Sequence, residues 1–106
     1  MTMTYEKTLL PLAAALLACM SALAFASDIF NGREVYEMHC QTCHGMDGQA
    51  MEPGVPDFSR GESLYVPDVE LVQRLREGDG HLPSYRGLLS DEELRDVIAY
   101  VRTLQR

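Results

Sequence analysis

The sequence predicts a small all-α domain in which three main helices are joined by irregular loops. Apolar residues recur at three- and four-residue spacing in three separate stretches, and helix start or stop signals stand at the ends of these stretches. The segments between them are rich in glycine and proline, and no segment shows the alternation that is typical of strands.

The first 26 residues have the pattern of a secretory signal peptide. Lys7 precedes an apolar stretch from Leu9 to Leu17, and the small-residue sequence Ala24-Phe25-Ala26 follows. The apolar stretch is too short for a transmembrane helix. We therefore expect residues 1–26 to be removed and residues 27–106 to form one exported domain in a bacterial periplasm.

A second processing route stays open at Cys19. The sequence Leu16-Leu17-Ala18-Cys19 loosely resembles a bacterial lipobox, although Leu17 fits it poorly. Under that alternative, a lipidated Cys19 would become the new N-terminus instead of being removed.

The charge of the predicted mature chain limits its partners. Glu6 and Lys7 leave together, so the net charge stays at −7. This acidity argues against nucleic acid and against an anionic membrane surface. We expect a monomer with no membrane span, at a size where a hydrophobic core alone is marginal and a buried cofactor would supplement it.

The first helix is predicted to begin after Asp28 and to run from about Ile29 to Cys40. A glycine inside a helix costs up to about 1 kcal/mol relative to alanine, so Gly32 indicates close approach of another backbone, which we expect to be the last helix. The apolar face is predicted to contain Phe30, Val35 or Tyr36, and Met38, with Met38 in the core.

The last helix has the clearest start signal in the chain. Ser90 is a predicted N-cap, Glu93 completes a capping box, and Leu89 with Leu94 forms a hydrophobic staple. The buried face is predicted to contain Leu94, Val97, Ile98, Val101 and Leu104, with Arg95, Asp96 and Arg102 turned toward water.

A middle helix is predicted from Pro67-Asp68 to a terminating Gly78. Proline suits the first turn of a helix and glycine suits its end. Val69, Val72 and Leu75 supply the apolar positions.

The chemistry of the chain is concentrated in Cys40-Gln41-Thr42-Cys43-His44. A C-x-x-C-H run is the attachment signature of a c-type haem, in which two thiols form thioether links and the adjoining imidazole binds the iron. A redox dithiol and half of a zinc site are the alternatives. Zinc requires four ligands, and only His39 and His81 remain as further histidines.

With this motif in place, the chain resembles the class I c-type cytochromes over nearly all of residues 27–106. Gly32 and Tyr36 stand eight and four residues before Cys40, as in the first helix of that family, and Val97 and Tyr100 match their packing partners. The resemblance implies the family's all-α fold around one covalent haem c. It also implies that the carbonyl of Pro56 accepts a hydrogen bond from His44, the proximal ligand.

The resemblance fails at the expected distal ligand. The family places a methionine directly before a proline in the loop ahead of the last helix, where this chain has Leu82 before Pro83. His81 is the nearest residue that can bind iron, and we predict it as the distal ligand. Met51 and an open or water-bound iron are the alternatives.

These features favour a periplasmic electron carrier rather than an enzyme. Among its class the chain most resembles the denitrification-associated cytochrome c55X type, which implies a redox partner such as nitrite reductase of the cytochrome cd kind. The competing function is a haem-based ligand sensor or a peroxidase-like enzyme, because the departure at Leu82 allows an open sixth position.

Overall fold

The computed structural model describes residues 26–106, so the predicted signal peptide and Cys19 lie outside the described residues except for Ala26. The described chain is helical and contains no strand. Its α-helices are α1 (Ile29–His39), α2 (Gln41–His44), α3 (Asp68–Glu77) and α4 (Asp91–Arg102), and a 3₁₀ turn spans Phe58–Arg60. The three main helices predicted from the sequence are α1, α3 and α4.

Helix α1 begins where the sequence predicts. The carboxylate of Asp28 accepts hydrogen bonds from the backbone N–H groups of Phe30 and Asn31, which leaves fewer unpaired donors in the first turn. The helix ends at the haem-attachment motif, where the N–H of Cys40 donates to the Tyr36 carbonyl over 2.9 Å. The first cysteine is therefore held at the last turn of a capped helix.

Helices α1 and α4 cross in direct contact at Gly32. A Cβ atom at this position would lie 2.0 Å from the Asp96 carbonyl oxygen and 3.0 Å from the Cβ of Tyr100. One turn along, the rings of Tyr36 and Tyr100 lie 5.3 Å apart at 59°. The close approach predicted from Gly32 is confirmed, because only a residue without a side chain fits there.

The capping box of α4 is also confirmed. The N–H of Glu93 donates to the Ser90 hydroxyl, and the N–H of Ser90 donates to the Glu93 carboxylate, each over 3.1 Å. Leu89 packs against the edge of the core and Leu94 is almost fully buried. The last helix therefore begins at a fixed residue, which also fixes where the preceding loop ends.

The core lies between α1, α3 and α4 and differs from the prediction at several residues. Met38 and Phe30 are 78% and 85% exposed, so their assignment to the core face of α1 is wrong. The crossing at Gly32 turns a narrow face of α1 toward α4, and these two side chains lie outside that face. On α3 the predicted Val72 is buried, but Val69 is exposed and Leu71, which was not predicted, is buried.

Asp96 was predicted to face water and is instead buried, with 3% of its surface exposed. Its carboxylate accepts hydrogen bonds from the backbone N–H of Asp28 and from the Asn31 side-chain amide, each over 2.8 Å. The carboxylate is stable in this buried position because both of its oxygens are hydrogen-bonded and because negative charge is favoured at a helix N-terminus. Asp96 thus joins the start of α1 to the middle of α4.

None of the helices within residues 26–106 has the length and apolar character needed to cross a lipid bilayer.

Candidate haem-binding site

The two cysteines of the motif lie half-buried in and next to the short helix α2, Cys40 as its N-cap residue and Cys43 within it. Both are free thiols, and the N–H of His44 donates to the Cys40 carbonyl over 3.0 Å. Burial and the charge of neighbouring Cys43 raise the pKa of Cys40 to about 11. The thiol of Cys40 therefore remains protonated at neutral pH.

His44 is fixed by a hydrogen bond to the loop that follows it. Its Nδ1 lies 3.2 Å from the Pro56 carbonyl oxygen, so Nδ1–H is the donor and Nε2 is left to bind a metal. Burial lowers the pKa of His44, an effect that the hydrogen bond to Pro56 partly offsets. The neutral imidazole is the form that binds iron.

The ring of Phe58 stacks on the imidazole of His44, with centroids 4.2 Å apart and planes at 13°. This contact covers a face of the imidazole and leaves Nε2, on the ring edge, available to bind a metal. Sequence reasoning missed Phe58. The feature that could have indicated Phe58 is its position two residues after Pro56, at the start of a 3₁₀ turn.

The backbone around His44 is held by two hydrogen bonds from residues outside the motif. The hydroxyl of the fully buried Tyr36 donates to the Gly45 carbonyl over 2.6 Å. The N–H of Met51 donates to the Cys43 carbonyl over 2.9 Å. Helix α1 and the loop that contains Met51 therefore hold the carboxyl end of the motif in place through these two hydrogen bonds.

The loop between α3 and α4 contains the predicted distal residue. The carboxylate of Asp79 accepts the N–H groups of His81 and Leu82 over 3.1 and 2.7 Å, and the N–H of Asp79 donates to the Leu82 carbonyl over 3.0 Å. The side chain of Leu82 is partly buried against the core, whereas His81 is exposed.

Further along this loop, Tyr85 anchors it to helix α1. Its hydroxyl donates to the His39 carbonyl over 3.2 Å, and its ring lies edge-on to the ring of His39. Burial raises the pKa of Tyr85, and the nearby charges of Cys40 and Cys43 raise it further. Tyr85 therefore brings the loop onto the side of the motif where the two cysteines lie.

The structure joins Cys40, Cys43, His44 and Pro56 in one hydrogen-bonded unit. Met51 is tied to this unit through its backbone, but its side chain is 71% exposed. The other two methionines of the described chain, Met38 and Met46, are 78% and 72% exposed. The distal ligand stays a prediction.

The donor set of this unit fits a haem c. Two thiols three residues apart, next to an imidazole with Nδ1 bonded and Nε2 available, match the chemistry of thioether attachment and axial ligation. Across the part of the chain that the structure describes, no three His, Cys, Asp or Glu side chains are grouped to hold a metal ion.

Comparison with known proteins defines the class. The family model described as "Cytochrome C oxidase, cbb3-type, subunit III" matches residues 27–101. The chain therefore belongs to the cytochrome c family, and that family implies covalently bound haem c.

Individual relatives cover most of the chain. Cytochrome c6 of Thermosynechococcus vestitus is 29% identical over 97 residues, which cover 85% of this chain and 82% of the relative. Cytochrome c6 of Porphyra purpurea is 29% identical over 102 residues, covering 91% and 92%. The cbb3-type cytochrome c oxidase subunit CcoP of Azospirillum brasilense is 34% identical over 80 residues, covering 69% of this chain but 27% of that subunit.

A solved structure agrees with the fold. The KustC0563 c-type cytochrome superposes with a TM-score of 0.61 at 24% identity, over 71% of this chain and 98% of the other. The all-α class I cytochrome c fold predicted from the sequence is confirmed. The finer resemblance to the c55X type is not addressed by these relatives.

Proposed function

We propose that this chain is an exported electron-transfer cytochrome, with residues 1–26 as signal peptide and residues 27–106 as a domain with one haem c. Cys40 and Cys43 form the thioether links, and His44 is the proximal ligand. The hydrogen bond from His44 Nδ1 to the Pro56 carbonyl, beside two half-buried thiols, is the observation that carries the proposal. The cytochrome c6 relatives support the same class of activity.

The haem supplies a reversible one-electron change at its iron. The protein contributes a fixed proximal ligand, because Pro56 orients the imidazole edge and Phe58 restrains its face. Tyr36 and Met51 hold the backbone on either side of His44. A ligand that keeps its geometry in both oxidation states lowers the reorganisation that accompanies each transfer.

For the distal position we propose His81, with Met51 as the less favoured alternative. His81 stands one residue before the position at which the family has methionine. Methionine opposite histidine raises the reduction potential, so ligation by His81 predicts a lower potential than that of methionine-ligated relatives.

For the partner we propose a redox enzyme in the periplasm, specifically nitrite reductase of the cytochrome cd kind in denitrification. The support is the overall likeness to the c55X type and the departure of this chain from the family's methionine at Leu82. We expect the carrier to be a monomer that docks through a small, short-lived interface.

The competing function, a ligand sensor or peroxidase-like enzyme with an open sixth position, has one observation in its favour. In the structure His81 is exposed and Leu82 is partly buried in the same turn. An iron with His44 but no distal side-chain ligand would be high-spin and would bind small molecules quickly.

Visible spectroscopy of the purified holoprotein separates these functions. For the carrier we expect a low-spin iron that resists added cyanide and carbon monoxide, and conversion to high spin in His81→Ala but not in Met51→Ala. Fast ligand binding by the unaltered protein would reject the carrier. Low-spin iron lost only in Met51→Ala would transfer the distal role to Met51.

Stopped-flow mixing tests the partner. The reduced protein is mixed with oxidised cytochrome cd-type nitrite reductase, and oxidation is followed at several salt concentrations. We expect transfer to saturate with reductase concentration. A parallel reaction with a cbb3-type oxidase is the control suggested by the CcoP relative. Faster transfer to the oxidase than to the reductase would contradict the nitrite reductase assignment.

A further inference from the structure

The loop between α3 and α4 is tied at its far end to the last turn of α3. The Ser84 hydroxyl donates to the Arg76 carbonyl over 2.6 Å, and the Tyr85 N–H donates to the Leu75 carbonyl over 2.9 Å. These bonds hold the chain from residue 84 onward. The directions of His81 and Leu82 are therefore set within residues 79–83, between the end of α3 and this anchor.

Within this segment, Asp79 makes the contacts that close the turn. Its carboxylate oxygen accepts two backbone N–H groups, from His81 and Leu82, and its own N–H donates to the Leu82 carbonyl. The turn directs Leu82 against the core and leaves His81 in solvent. Bringing the imidazole of His81 inward would exchange these two directions and so requires the backbone of the turn to rearrange.

We infer that Asp79 positions the distal ligand by controlling this turn. While the turn is closed, Leu82 is held inward and His81 is kept away from the iron; His81 binds only when the turn opens. The inference rests on the proposed function, in which His81 is the distal ligand of a haem c. Asp79 acts through His81 and is therefore a positioning residue.

Gly80 offers an independent way to open the same turn. Its φ is +96°, and a Cβ built there meets nothing within 4 Å. Alanine at this position strains the backbone without a clash and leaves the Asp79 carboxylate intact. Gly87 has a φ of +78° and equally open surroundings outside the turn, which makes Gly87→Ala a matched control.

The test measures spin state and cyanide binding in the oxidised holoprotein. In Asp79→Ala we expect the iron to stay low-spin and the slow binding of cyanide to become about fivefold slower, because cyanide binds while the turn is closed and His81 is off the iron, and the closed turn has lost two hydrogen bonds. Gly80→Ala should slow cyanide binding in the same direction. Asp79→Asn keeps an acceptor oxygen, so it should behave as the unaltered protein, as should Gly87→Ala.

His81→Ala separates the inference from the proposed function. If the low-spin signal of Asp79→Ala disappears in the Asp79→Ala/His81→Ala double variant, His81 is the ligand released by the turn. If His81→Ala alone removes low-spin iron while Asp79→Ala and Gly80→Ala match the unaltered protein in cyanide binding or move toward high spin, the positioning role is overturned and the ligand assignment stands. If His81→Ala changes nothing in any background, the ligand assignment itself fails. Should Asp79→Ala not fold, Gly80→Ala gives the same comparison.

Discussion

The α1–α4 crossing and the turn at residues 79–83 are held by different kinds of contact. At the crossing, Gly32 touches the backbone of α4, and Tyr36 and Asp96 are buried with hydrogen bonds of 2.6 to 2.8 Å. In the loop, His81 is exposed, and a few surface hydrogen bonds define its direction. We therefore expect changes at the crossing to reduce the free energy of unfolding and changes in the loop to alter iron ligation.

Gly32→Ala should have the largest effect on stability. The added methyl group would overlap the Asp96 carbonyl, a backbone atom that moves only if the two helices separate. We expect a loss of about 3 kcal/mol or more in the free energy of unfolding, or failure to accumulate holoprotein. Guanidinium denaturation followed by circular dichroism measures the free energy of unfolding. Glu34→Ala, at an exposed position of the same helix, is the control; equal stability of the two variants would contradict the tight crossing.

Asp96→Ala should have the second-largest effect on stability. We expect the free energy of unfolding to fall by about 2 kcal/mol, because the two hydrogen bonds that reach the start of α1 are lost. Asp96→Asn should recover at most half of it, since an amide presents one acceptor where the carboxylate presents two. A double-mutant cycle with Asn31→Ala isolates the side-chain pair, with an expected coupling of about 1 kcal/mol. Additive losses would show that Asp96 does not act through Asn31.

Tyr36→Phe should cost about 1 kcal/mol, because the ring packing stays and the buried hydroxyl bond to the Gly45 carbonyl is lost. Tyr100→Phe, at the partly buried ring that packs against it, is the matched control and should cost less. Urea denaturation of both holoproteins gives the comparison. A larger loss of unfolding free energy in Tyr100→Phe would mean that the hydrogen bond from Tyr36 to the Gly45 carbonyl contributes little to stability.

The crossing could be predicted because local rules there agree with the global fold. A glycine inside a helix is costly without a reason, so Gly32 pointed to a backbone contact. Ser90 and Glu93 fixed the start of α4 by a pairing that depends only on neighbouring residues. The hydrogen bond between His44 and Pro56 is long-range, and it was expected only from the family resemblance.

The errors arose where periodicity was used without knowledge of the partner. Met38 and Phe30 have helical spacing, yet a crossing at glycine buries a narrow face, and spacing alone does not reveal which face that is. Asp96 looked like a surface residue because its partners lie 65 and 68 positions away in the sequence. The direction of His81 depends on the backbone of a short turn, which composition does not determine.

Leu82→Met should have the smallest effect on stability and a large effect on the iron. Leucine and methionine have similar volumes, and Leu82 is only partly buried, so we expect a change below about 1 kcal/mol. The substitution puts a thioether directly before Pro83, where the family has its ligand. We expect the weak long-wavelength absorption of sulfur-ligated iron and a higher reduction potential.

Two further variants, Leu82→Met in the His81→Ala protein and Leu88→Met alone, show whether a change at the iron comes from ligation by residue 82. In His81→Ala, where we expect high-spin iron, adding Leu82→Met should restore the low-spin state, because the closed turn already directs residue 82 inward. Leu88→Met, the same exchange at a residue that is 61% exposed, should leave spectrum and potential unchanged. If Leu82→Met unfolds the protein or leaves the iron unchanged, then the loop is held by packing as the crossing is, and the contrast between the two regions is wrong.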